Sequence, residues 1–399
     1  MPQIPLRSIQ RAVPANRRAV VVGGGSFGTA VAVLLARGGF RATLQTRTEE
    51  QAERLLKDRE NRVYLPGVEL PRDLRIEPMK AGLTRADYVF LGVPSTGLEH
   101  VIEALDSNGL SHRAAVVSLA KGLVPPDGTP PTALLRRRFG PNRTACIGGP
   151  AHAHEMVNEG AGLVAASTDA ALASALAAVF IRAGVVCEES NDPVGVELSG
   201  VAKNAAALAS GATEDQGLNA AGAAAGHIFA EVWRWAELQG ARPESMIGLA
   251  GTGDLVATAL APASRNRRAG ELLAHGVAAS DIPSRVGQAV EALETVPLLA
   301  GALATAGLAS PVTSALAGLI EGSVPLEEWV AIVRTTVPPP AIRPRPRRVR
   351  GFWRNLWARV RTRGRRRNTI FTPAEPAHVT LAAVPDPKER ADAPHHRDG

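Results

Sequence analysis

At 399 residues, 45% hydrophobic and 21% charged, the chain has ordinary globular composition and length for two to three domains around a substantial core. Two cysteines, Cys146 and Cys187, exclude a disulfide framework or a thiolate metal centre and fit a reducing cytoplasm, and neither a signal peptide nor an apolar run of about 18 residues is present to direct or anchor it in a membrane. The net charge of +7 is uneven: residues 336–399 hold 15 Arg and Lys against 5 Asp and Glu, so polyanion-seeking character belongs to this tail and the first 335 residues stand near −3.

Residues 19–23, AVVVG, form a short apolar run that stops at glycines, as a strand buried in a parallel sheet does. Ser26 to Arg37 has apolar residues on helical spacing and ends at Gly38-Gly39, a helix stop. ATLQTR at 42–47 predicts a second strand, and the alternation continues with runs at 86–95, 114–123 and 144–151. Strands alternating with helices predict a doubly wound α/β sheet whose ligands gather at the carboxyl ends of the strands, here Pro94, Ser95, Lys121, Gly149 and Pro150. Beyond residue 190 the strand signal gives way to Ala- and Leu-rich helical segments at 195–211, 217–240, 268–275, 286–306 and 311–320. Past Val337 the prolines of PPPAIRPRPRR forbid helix and central strand alike. The expected organisation is a Rossmann-type dinucleotide-binding domain at 18–190, an all-α substrate domain at 191–335 and a basic tail at 336–399.

Gly23, Gly25 and Gly28 form G-x-G-x-x-G at the joint between the first strand and first helix, with Ser26 and Phe27 inside the motif. Glycines there permit a tight turn and let backbone N–H groups approach a pyrophosphate at a helix N-terminus. The second strand ends Gln45-Thr46-Arg47, with no acid before Glu49 to hold a ribose 2′-hydroxyl. An arginine at that turn suits a 2′-phosphate, so the expected cofactor is NADP, or NADP and NAD alike.

The segment NRVYLPGVELP, Asn61 to Pro71, is too particular to follow from periodicity. Together with GGGSFGTA at 23–30, VPS at 93–95, SLAKGL at 118–123, GGPAHAHE at 148–155, GVELSGVAKNAAALASG at 195–211, GLAGTGDL at 248–255, SRNRRAG at 264–270 and VGQAVEA at 286–292, it resembles the NAD(P)-dependent glycerol-3-phosphate dehydrogenases over residues 18–335. The resemblance implies reversible hydride transfer between nicotinamide and C2 of dihydroxyacetone phosphate, supplying glycerol 3-phosphate for phospholipid synthesis. It implies catalytic roles for Lys203, whose apolar surroundings would lower its pKa, for Lys121, which would also contact substrate and cofactor, and for Asp254 in the substrate site, the alternative for Asp254 being a helix N-cap. Ser264, Arg265 and Asn266 would bind the substrate phosphate, with Arg265 also reaching the cofactor. Gly149 and Ala151 would lie against substrate, Ala153 against cofactor and Glu291 against the nicotinamide half. A homo-oligomer is expected.

Four positions depart from the family pattern: Glu99 and His227 stand where arginines are common, Ala151 replaces a common serine, and the glycine-rich segment before Asn219 is shortened to T-E-D-Q-G-L. They leave open a non-catalytic nucleotide-binding protein, while the two-domain plan also suits hydroxyacid or 6-phosphogluconate dehydrogenases. His152, His154 and Glu155 lack the spacing of a helical zinc pair, so no metal is expected, and Arg267 and Arg268 read as a solvated face. In the tail, residues 352–363 would place Phe352, Trp353, Leu356, Trp357 and Val360 on one stripe among arginines if helical, the pattern of a segment that docks on anionic membranes, the alternatives being an arginine-rich extension that binds polyanions or a helix that folds back on the body.

Overall fold

A computed structural model describes residues 17–79, 83–261 and 264–337. The tail beyond Val337, including the 352–363 stripe, lies outside the described residues.

The strands are β1 (Arg18–Val22), β2 (Arg41–Thr46), β3 (Glu60–Asn61), β4 (Leu65–Glu69), β5 (Arg75–Pro78), β6 (Tyr88–Leu91), β7 (Ala115–Ser118), β8 (Thr144–Gly148), β9 (Gly162–Ala166) and β10 (Val186–Ser190). Eight build one sheet in the order β10-β9-β8-β7-β6-β1-β2-β5, and β3 and β4 pair as a separate hairpin. The AVVV run is continuous because β1 is buried on both faces: Ala19 and Val21 pack into one core and Val20 and Val22 into another on the opposite side. Neighbouring strands run parallel except β8 and β9, which pair antiparallel with Cys146 opposite Ala166. The sheet is therefore mixed.

Several strands have no clear signal in the sequence, for physical reasons. β9 reads GLVAA, and alanine carries little strand preference. β10 and β5 are the two edges, where Val-Cys-Glu-Glu-Ser and Arg-Ile-Glu-Pro expose polar side chains. β4 contains Pro66 and Gly67, which read as a turn.

From Pro193 onward the chain is helical, with long helices at Pro193–Ala212, Leu218–Leu238, Arg265–Ala274, Glu291–Thr305, Pro311–Glu321 and Leu326–Thr335 around a core rich in alanine and leucine. The helix expected at 286–306 starts only at Glu291, because Gly287 takes φ +80° and ends the short helix Ile282–Val286. Helix Pro193–Ala212 is buried along nearly its whole length, and it crosses Arg265–Ala274 at backbone contact. A Cβ at Gly211 would lie 2.0 Å from the Arg267 carbonyl oxygen, and one at Gly270 would lie 2.0 Å from that of Leu208. This crossing brings Asn204 beside Asn266.

Candidate active site

The glycine motif divides its labour. Gly23 adopts φ +117° and a Cβ there would fall 2.3 Å from the Gly92 carbonyl oxygen, while a Cβ at Gly28 would sit 2.1 Å from that of Gly23. Gly23 thus lets the turn after β1 touch the end of β6, and Gly28 lets the helix touch that turn. Gly25 has φ −79° and nothing within 4 Å of its would-be Cβ, so its missing side chain opens space on the outside of the turn. It is also the N-cap of helix Ser26–Arg37 and offers no capping side chain, which leaves the first N–H groups, at Ser26, Phe27 and Gly28, for an anion.

The Asn61-to-Pro71 segment has a structural explanation. Buried Asn61 donates through Nδ2 to the Gly24 carbonyl at 3.0 Å and to Thr29 Oγ1 at 2.8 Å, and Gln51 donates to the same carbonyl at 3.1 Å. The hairpin therefore clamps the glycine turn. Next to it a cleft of about 730 Å³ is lined by Gly23, Arg47, Met79, Val93, Pro94 and His100 among others, which fits the adenosine half of a dinucleotide. Arg47 is exposed at its rim.

The chemical centre lies where the sheet meets helix Pro193–Ala212. Lys121, just past β7, donates from Nζ to Asp254 Oδ2 at 2.6 Å and to the Gly149 carbonyl at 3.0 Å, and its ammonium lies 5.9 Å from the Phe27 ring centroid. Gly149 can present that carbonyl because it takes φ +99° with no room for a Cβ, which would stand 2.4 Å from the Gly162 oxygen. Lys203 Nζ lies 3.4 Å from Asp254 Oδ1 and donates to Thr258 Oγ1 at 3.2 Å. One carboxylate thus bridges two lysines, and all three groups are largely withdrawn from water, with side-chain exposures of 15% for Lys121, 10% for Lys203 and 2% for Asp254.

Burial, with repulsion from Lys121, pulls the Lys203 amine from 10.5 down to about 8, against the attraction of Asp254 and Glu291. Burial acts to raise the Asp254 pKa, but Lys121 and Lys203 outweigh it and hold the carboxylate below its usual range. Asp254 opens helix Asp254–Leu260 as its first residue; the cap position belongs to Gly253, so the capping alternative does not describe it.

A second layer of amides extends from this cluster. Asn204 donates to the Lys121 carbonyl at 3.1 Å and to Glu291 Oε2 at 3.2 Å, and accepts from Asn266 at 2.8 Å. Asn266 Oδ1 in turn accepts from the Ala292 N–H at 3.3 Å. Ser264 caps helix Arg265–Ala274 by accepting from the Arg267 N–H at 3.4 Å. Ala151 packs partly buried on the sheet core and Ala153 begins helix Ala153–Asn158.

Not every expected residue joins the cluster. Exposed Arg265 donates to Gln288 Oε1 at 3.0 Å and the Ala289 carbonyl at 3.2 Å. Arg267, on the face expected to be solvated, forms solvent-exposed ion pairs there with Glu214 at 2.5 Å and with Glu271 at 3.3 Å. Glu99 is exposed on helix Leu98–Ser107 and His227 is half-buried on helix Leu218–Leu238. His152 approaches the Ala257 carbonyl and His154 approaches Asn158, and among the described residues no three His, Cys, Asp or Glu side chains converge as a metal set. Asn204 and Thr258 join this cluster through their hydrogen bonds; in the sequence Asn204 is marked only as the polar neighbour of Lys203 in an apolar run, and Thr258 only as the residue one turn after Asp254.

A dinucleotide cradle opening beside a buried lysine–carboxylate–lysine cluster is the layout of a pyridine-nucleotide-dependent dehydrogenase. Residues 18–173 match the model of the NAD-dependent glycerol-3-phosphate dehydrogenase N-terminus and residues 192–331 that of its C-terminus. A glycerol-3-phosphate dehydrogenase [NAD(P)+] from Deinococcus radiodurans is 38% identical over 316 residues, covering 77% of this chain and 90% of its own. Another, from Nitrosococcus oceani, is 37% identical over 69% of this chain and 81% of its own. Among solved structures, a glycerol-3-phosphate dehydrogenase from Coxiella burnetii superposes with a TM-score of 0.77 at 26% identity, covering 81% of this chain and 100% of its own. The chain belongs to the NAD-dependent glycerol-3-phosphate dehydrogenase family.

The two kinds of glycine in the cradle should respond differently to a methyl group. Gly28→Ala is expected to lower the denaturation midpoint, by about 1–3 kcal/mol of stability for overpacking, whereas Gly25→Ala should fold like the parent yet bind NADPH about tenfold more weakly in a fluorescence titration. Equal melting behaviour of the two variants would contradict this division.

Proposed function

We propose that the protein interconverts dihydroxyacetone phosphate and sn-glycerol 3-phosphate with NADPH or NADH, and that it feeds phospholipid synthesis. The observation that carries the reading is Lys203, held between Asp254 and Thr258 with an amine titrating near 8. The bound nicotinamide supplies the hydride for C2. Lys203 is assigned to donate from its protonated amine to the developing alkoxide in reduction and, neutral, to accept the hydroxyl proton in oxidation. Asp254 keeps two ammonium groups close without mutual expulsion, and Lys121 adds a second cation for the carbonyl oxygen and the cofactor. Ser264, Arg265 and Asn266, at the start of a helix, are assigned to the phosphate, where N–H groups and a guanidinium favour an anion. Gly149, Ala151, Ala153 and Glu291 are assigned to backbone and side-chain contacts around the nicotinamide and substrate.

Arg47 is assigned to a 2′-phosphate at the rim of the adenosine cleft. A functional boundary between residues 190 and 191 separates cofactor from substrate halves. The protein works in the cytoplasm as a homo-oligomer, and residues 352–363 dock it on anionic membranes.

Turnover of dihydroxyacetone phosphate, followed by loss of NADPH absorbance, tests the reaction. Lys203→Met should cost about 10²- to 10⁴-fold in kcat while leaving NADPH affinity near that of the parent. The sign of the pH dependence follows from the lowered amine: kcat/KM for reduction should hold below pH 8 and fall above about 8, while oxidation should rise through the same value. Retention of over half the activity in Lys203→Met would remove it from the chemistry. Arg47→Ala should weaken NADPH by about 1.5–3 kcal/mol and NADH hardly at all; equal losses would refute the 2′-phosphate assignment. Full-length protein should co-sediment with phosphatidylglycerol vesicles and release as salt rises, and a chain ending at Val337 should not bind them; absence of full-length protein from the pellet at low salt would end the membrane assignment.

A further inference from the structure

Helix Pro193–Ala212 holds more than the catalytic lysine. Glu197, Gly200 and Asn204 follow one another at spacings of three and four, so they share one face of this helix. All three meet the segment that leaves β7 and runs from Lys121 to Thr132. Asn204 donates to the Lys121 carbonyl at 3.1 Å. Gly200 lies under the Lys121 side chain, where a Cβ would be 3.4 Å from Lys121 Cβ and Cγ. Glu197, only 4% exposed, takes hold of the other end: its carboxylate oxygens accept from the Thr132 N–H at 2.9 and 3.1 Å and from Thr132 Oγ1 at 2.5 Å.

Thr132 lies in the first turn of helix Pro131–Phe139, which has no capping side chain of its own at Pro130. Glu197 therefore serves as a cap borrowed from the catalytic helix, satisfying a first-turn N–H that would otherwise be orphaned in the interior. Between its two anchored ends the segment is closed on itself, with Val124 and Thr129 exchanging hydrogen bonds at 2.8 and 3.0 Å. It is also walled in: a Cβ at Gly122 would strike Ser95 Oγ at 2.6 Å and Thr295 Oγ1 at 2.8 Å. A closed segment pinned at both ends to one helix face transmits the place of one pin to the other.

We propose that Glu197 is a positioning residue: by gripping Thr132 it fixes the segment that carries Lys121, and so sets Lys121 in register with Asp254 and Lys203 across the substrate. The inference rests on the proposed reaction only for its kinetic consequence. Burial pushes the Glu197 carboxyl up to about 8, so an uncharged glutamine is the conservative replacement, with a carbonyl to accept from the Thr132 N–H and an amide to donate to the hydroxyl.

The test is a kinetic double-mutant cycle in the full-length protein, with an exchange measurement beside it. Glu197→Ala is expected to lower kcat for dihydroxyacetone phosphate reduction about 10- to 100-fold, as a displacement of about 1 Å does at a catalytic group, with NADPH affinity within about twofold of the parent's. Glu197→Gln should restore at least half of the loss on a logarithmic scale. In a Lys121→Met background, Glu197→Ala should cost less than about twofold, because the group it positions is already gone. Thr132→Val, which removes one hydrogen bond and keeps the N–H, should give the same pattern at smaller amplitude and stands in should Glu197→Ala not fold. Equal costs in the two backgrounds, or a loss that merely tracks the fraction of folded protein, would overturn the proposal. Hydrogen exchange needs no turnover and separates this idea from the proposed reaction: amides of residues 119–132 should exchange faster in Glu197→Ala while those of β1 and β6 do not change. Unchanged exchange in that segment would equally overturn the proposal, whereas a parent protein inactive on dihydroxyacetone phosphate but showing the local exchange effect would overturn only the assigned reaction.

Discussion

A single buried carboxylate holding two lysines is the constraint on which the rest of the site depends. Asp254 is 2% exposed and lies 2.6 Å from Lys121 and 3.4 Å from Lys203. Two ammonium groups brought together in the interior repel, and each loses hydration; without a shared anion one of them would shed its proton or leave. With it, both lysines can stay beside one another, and the Lys203 amine is left poised near 8, suited to passing a proton in either direction. The three residues come from three places in the chain, the end of β7, the middle of helix Pro193–Ala212 and the first turn of helix Asp254–Leu260, so everything that fixes these elements against one another serves the cluster.

What fixes them is close approach between small residues. The scarcity of aromatics, 4% of the chain, and the abundance of alanine and glycine follow from helices that pack at backbone distance. Gly211 and Gly270 have no space for a methyl group where helices Pro193–Ala212 and Arg265–Ala274 cross, and that crossing lets Asn266 reach Asn204 at 2.8 Å. The amide chain from Ala292 through Asn266 and Asn204 to the Lys121 carbonyl then joins helices Glu291–Thr305, Arg265–Ala274 and Pro193–Ala212 to the segment after β7 in one network, each member satisfied by the next.

Much of this could be read in the sequence, and the exceptions have causes. The glycine motif and the AVVV strand were legible because their geometry is local: a turn, a buried run, a helix start. Long helices were legible from composition. The edge strands β5 and β10 were not, because an edge needs neither apolar alternation nor strong strand formers, and the antiparallel β8–β9 pair was hidden because direction is set by tertiary pairing. Within the site, a Lys203-Asn204 pair in an otherwise apolar run is equally compatible with surface and centre; burial decides it, and burial is not local. Arg267 shows the converse. It lies among arginines and reads as solvated, yet Glu214, 53 positions earlier, meets it as an ion pair, a partner that no spacing rule connects to it. Asn61 likewise gains its meaning only when the β3–β4 hairpin carries it to Gly24 and Thr29.

The titration of Lys203 itself tests the central claim most directly. In protein carrying ¹⁵N-labelled lysine, the signal lost in Lys203→Arg identifies its Nζ, and that resonance followed from pH 6 to pH 11 gives the ionisation of the amine in the folded chain. The account predicts a midpoint of about 8, moving lower in Asp254→Asn, where the anion that favours the charged form is gone. A midpoint near the ordinary lysine value of 10.5, unchanged by Asp254→Asn, would contradict it.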